Sequence, residues 1–73
     1  MTQGQMTEFA KALANNFPEL TPEFTEDRVY VYPPDKTSLS GTMLRSICQL
    51  IGYMKLTFWV DVTIAKGIYM VII

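Results

Sequence analysis

From Arg28 onward the hydrophobic rhythm of the chain changes repeatedly, and each change marks an element. Arg28-Val29-Tyr30-Val31-Tyr32 alternates β-branched with aromatic residues, which predicts a strand with Val29 and Val31 on one face and Tyr30 and Tyr32 on the other. Pro33-Pro34 ends it, because proline has no N–H to give to a ladder. Leu39, Met43, Ile47, Leu50 and Met54 then recur at three or four residues, widened by Leu44 and Ile51. That spacing predicts an apolar, heavily buried helix over 37–53, with Asp35, Thr37 or Ser38 as its N-cap. Arg45, Ser46 and Gln49 form its wet side, and Gly52 stands where the helix is capped or meets a neighbour closely.

Residues 57–64 alternate again, with Phe58, Val60, Val62 and Ile64 opposite Thr57, Trp59, Asp61 and Thr63. Ala65-Lys66-Gly67 supplies a turn, and 68–73 returns as the second arm of an antiparallel hairpin. This last segment is apolar on both faces, as in a strand covered on two sides. Nearer the start, Phe9, Ala10, Leu13 and Ala14 predict a short helix over 7–16 with Thr7 as cap. Residues 17–27, FPELTPEFTED, have the proline and acid content of a linker, pinned down by Phe17, Leu20 and Phe24.

The expected architecture is α+β: a βαββ sheet with one long helix on one face and an added short N-terminal helix. A helix joining the first strand to the next favours parallel pairing of the two and a right-handed path. Val29, Val31, Phe58, Val60, Val62 and Ile64 are expected beneath the long helix, while Tyr30, Tyr32, Trp59 and Tyr69 collect on the opposite face. Should the N-terminal helix lie over those rings, the case for a partner on that face weakens.

A length of 73 residues makes one domain over 1–73: a helix and acidic, proline-containing linker over 1–27, then a βαββ core over 28–73. Hydrophobic residues make up 49% of the chain, more apolar area than so small a domain readily hides. The expectation that follows is a homo-oligomer, or a subunit whose second sheet face is completed by another protein chain. The partner-binding set is Tyr30, Tyr32, Trp59, Tyr69, Val71 and Ile73, since Tyr and Trp combine large apolar area with a polar tip.

Charge and chemistry narrow the alternatives. Six Lys and Arg stand against seven Asp and Glu, so a polyanion partner is not favoured overall. The same rings are nevertheless able to stack the bases of a single strand, with Arg28, Arg45, Lys55 and Lys66 as the contacts available to phosphates, or the 37–53 helix is able to enter a duplex groove. The chain has no His, and its carboxylates show no paired or metal-ligand spacing, so neither an enzyme, a cofactor, a metal nor a small-molecule substrate is expected. The 36–42 stretch, KTSLSGT, lacks the glycine and lysine spacing of a phosphate-binding loop, and ordinary helix capping accounts for it. Cys48, alone inside the apolar helix, reads as a reduced thiol serving as a small hydrophobe. With no secretory leader pattern and no apolar run long enough to span a bilayer, the expected location is cytoplasmic.

Overall fold

The computed structural model describes residues 1–34 and 39–73. Its elements are α1 (Gln3–Asn16), β1 (Glu23–Phe24), β2 (Val29–Val31), α2 (Gly41–Tyr53), β3 (Phe58–Thr63) and β4 (Gly67–Ile72). The four strands form one antiparallel sheet in the order β1-β2-β4-β3. The α+β class and the run of strand, helix and two strands follow the expectation. Parallel pairing of the first two predicted strands does not. β2 and β3 do point the same way, but β4 is inserted between them and pairs antiparallel with both. This position explains why β4 is apolar on both faces: as an interior strand it buries Met70, Val71 and Ile72.

Both helices are of similar length, so the contrast between one long and one short helix is corrected. α1 starts at Gln3 rather than Thr7 because Thr2 and Gln5 form a capping box. The Thr2 hydroxyl accepts from the Gln5 N–H at 3.1 Å, and the Gln5 side chain accepts from the Thr2 N–H at 2.8 Å. Thr7 instead lies inside the helix and donates its hydroxyl to the Gln3 carbonyl. α2 is capped by Ser40, whose hydroxyl accepts from the Met43 N–H. The caps expected at Asp35, Thr37 and Ser38 lie outside the described residues. At its other end Met54 is the C-cap, Lys55 takes a left-handed φ of 57°, and nothing approaches Gly52 closely.

Helix α1 packs beside α2 on the same side of the sheet. Phe9 and Leu13 of α1, Ile47 and Ile51 of α2, Val29 and Val31 of β2, and Met70 and Ile72 of β4 belong to one core, together with Leu20 and Leu39. The segment over 17–27 is more than a linker, since β1 within it pairs Glu23 with Tyr30 and Phe24 with Val29. The molecule is thus two layers, helices on one face and an aromatic face opposite.

Two expectations about burial are overturned. Phe58, Val60 and Val62 do share the helix face of the sheet, yet all are exposed, as is the neighbouring Ile64, because the helices sit over β2 and β4 and leave β3 outside. On α2 only Ile47 and Ile51 are fully buried, Leu44 is exposed, and Cys48 is exposed rather than packed. The accessible surface of 4701 Å² is close to the ~4,600 Å² that scaling with mass gives for a compact monomer. The apolar exposure therefore comes from where the side chains lie, not from loose packing.

Candidate protein-interaction face

Pairing register fixes which side chains share the uncovered face. Tyr30 lies opposite Val71, Val71 opposite Trp59, and Tyr69 opposite Asp61, so residues from β2, β4 and β3 form cross-strand rows. β1 adds Glu23 opposite Tyr30. The rings expected to gather there do so. Tyr30 and Tyr32 are nearly parallel at 6.3 Å between centroids, and Tyr69 meets Tyr32 at 4.9 Å and Tyr30 at 6.5 Å in tilted geometry. Trp59 lies one strand beyond, across Val71, and is exposed.

Two cations close the face at its sides. The Arg28 guanidinium stands 5.3 Å from the centre of the Trp59 ring, and the Lys66 ammonium 4.7 Å from that of Tyr32. Each also has a carboxylate within ion-pair range: Asp27 for Arg28 at 3.9 Å and Glu23 for Lys66 at 3.7 Å. Glu23 further accepts a hydrogen bond from the Tyr32 hydroxyl at 3.3 Å, so one carboxylate ties β1, the end of β2 and the β3–β4 turn together. The turn itself is closed by Gly67 at φ 75° and by the Lys66 N–H donating to Thr63 Oγ1.

Burial pushes the Tyr32 phenol above the usual tyrosine value, followed by the charge and hydrogen bond of Glu23 and by its two neighbouring tyrosines. The Tyr69 phenol is raised by burial within the ring cluster, then by the charge of Asp61 and the nearby Tyr30. Both groups stay neutral at ordinary pH; Tyr69 is buried within the ring cluster and Tyr32 is half-buried.

Not every expected contact residue is available. Val71 is buried beneath the rings and forms the floor of the face, and Ile73 is half-buried, its backbone exchanging both hydrogen bonds with Thr57. Arg28 and Lys66 belong to the face, whereas Arg45 sits on α2 in the other layer and Lys55 in the turn that follows it. Glu23 lies in the linker-like 17–27 stretch, where the sequence pattern does not single it out for the face. Its signal was weak, a two-residue strand directly after Pro22. Among the described residues there is no cluster of metal-ligating side chains, and no helix is long and apolar enough to cross a membrane.

Comparison with protein-family models, curated proteins and solved structures finds no match to this chain.

Proposed function

We propose that the protein is a non-catalytic protein–protein interaction module that self-associates through the aromatic face of its sheet. The observation that carries this reading is the placement of both helices on one side, which leaves Tyr30, Tyr32 and Trp59, with Tyr69 buried between them, on a face that no helix covers among the described residues. A second copy suits the face because its charges balance: Glu23 and Asp61 accompany Arg28 and Lys66, so a copy turned about a two-fold axis presents acids to bases. The rings already hold one another, so little side-chain freedom remains to be lost on docking.

Sedimentation equilibrium over a micromolar concentration series tests the reading. The expected result is a mass above that of the monomer, with Tyr30→Lys weakening the association about tenfold by placing a charge among the rings. Association unchanged in Tyr30→Lys removes the aromatic face from the contact.

A single-stranded nucleic acid is the second reading, favoured by the two cations held over rings. Glu23 and Asp61 on the same face oppose it. Titration of a labelled oligonucleotide at low salt decides: saturable binding that Arg28→Ala and Lys66→Ala weaken supports it, and no binding dismisses it.

A further inference from the structure

The open edge of the sheet carries information that the aromatic face does not. Among the described residues β3 pairs with β4 alone, and its other side is an edge. Thr57 and Ile73 exchange both backbone hydrogen bonds, so in the antiparallel ladder the odd-numbered residues of β3 bond to β4. Phe58, Val60 and Val62 therefore aim their N–H and C=O groups outward. The strand has none of the usual edge protections of proline, lysine or a bulge; its one charge is Asp61. One Asp61 carboxylate oxygen accepts from the Val62 N–H at 2.8 Å, occupying one of the outward donors.

Side chains next to this edge are apolar on the helix side. Val60 and Val62 are 55% and 63% exposed, Phe58, Ile64 and Ile68 are exposed beside them, and Leu44 of α2 completes the strip. An apolar notch of about 210 Å³ runs between Leu39 and Leu44 on one side and Val60, Ile68 and Met70 on the other. From their fractional exposures Leu44, Phe58, Val60, Val62, Ile64 and Ile68 together offer about 600 Å² of accessible surface, backbone included, against the roughly 800 Å² per partner of a standard interface.

We propose that the β3 edge joins two copies of this chain as antiparallel neighbours about a two-fold axis at Val60, making one continuous sheet from both. The register follows from the residues. With the axis at Val60, Val60 meets its own counterpart as a hydrogen-bonded pair, Phe58 meets Val62, Trp59 meets Asp61 and Thr57 meets Thr63. Apolar residues then lie opposite apolar ones on the helix side, and the two strips merge. An axis at Asp61 sets two carboxylates opposite each other, which is unfavourable. One at Trp59 shortens the ladder and leaves Val62 outside it. An axis perpendicular to the sheet keeps both aromatic faces on the same side, so this contact is independent of the one proposed for the rings. Asp61 works against the pairing, because Val62 must exchange the carboxylate for the carbonyl of Phe58 of the second copy.

The test is a charge swap at the axis. Sedimentation equilibrium is run on Val60→Lys, on Val60→Glu and on their equimolar mixture, in wild-type and in Tyr30→Lys chains. In the Tyr30→Lys chain, each Val60 variant alone is expected to be monomeric, since like charges meet at the axis, and the mixture is expected to recover a dimer. Asp61→Ala is expected to tighten association about fivefold by freeing the Val62 N–H. Amide hydrogen exchange on the wild-type protein gives a readout without substitution: Phe58, Val60 and Val62 gain protection as concentration rises. A mixture no more associated than its components overturns the proposal, as does a mass increase with no added protection at these three amides, which leaves the aromatic-face reading standing. A monomer in wild type and Asp61→Ala alike overturns both.

Discussion

The ammonium of Lys66 stands 4.7 Å from the centre of the Tyr32 ring while 3.7 Å from a carboxylate oxygen of Glu23. Tyr32 also donates to Glu23, so three side chains from separate parts of the chain close one corner of the aromatic face. All three are at least partly solvated, which keeps their worth small. Lys66→Ala is expected to lower stability by about 0.5–1 kcal/mol, read from the urea midpoint with an unchanged slope. A loss several times larger would mean that the corner holds the sheet together.

Alkaline pH probes the same rings. Tyr32 and Tyr69 hold their protons above the usual value of 10.0 in the folded chain. The unfolded chain releases those protons first, so the stabilisation is fully present below the unfolded phenol range and falls as pH rises through the folded values. Urea midpoints across an alkaline series are expected to decline there, and Tyr32→Phe with Tyr69→Phe to flatten the decline. A decline of equal slope in the double variant would place its origin elsewhere.

Helix α1 is held by its packing more than by its ends. Phe9 is fully buried among β2, β4 and α2, so Phe9→Ala is expected to cost about 3–5 kcal/mol. The capping hydroxyl contributes less, and Thr2→Ala is expected to cost about 1 kcal/mol. Equilibrium denaturation ranks the two, and a reversed order would show that α1 is only loosely docked.

Period-two and helical spacing were sufficient to place β2, α2, β3 and β4, and the alternation in β2 and β3 put Tyr30, Tyr32 and Trp59 on one face without further information. What the residues do not encode locally is lateral position. Nothing within 57–64 says that the helices stop short of this strand, so its alternation points Phe58, Val60 and Val62 into the core, and they lie at its margin instead. The order of strands is likewise decided by competition for the interior place. The segment apolar on both faces takes it, and β4 therefore separates the two strands that α2 connects. The early start of α1 is legible in Thr2 and Gln5, three residues apart, whereas the apolar stripe of Phe9 and Leu13 marks only the later part of the helix.

With two of the three sheet seams running along β4, neither side of the sheet is a stable fragment: without it, among the described residues, β2 keeps a two-residue neighbour and β3 keeps none. Detaching this strand and losing the whole tertiary structure should be one event. The slowest-exchanging amides of Met70, Val71 and Ile72 then report the global unfolding free energy, and a fast subset among them would reveal an opening confined to one seam.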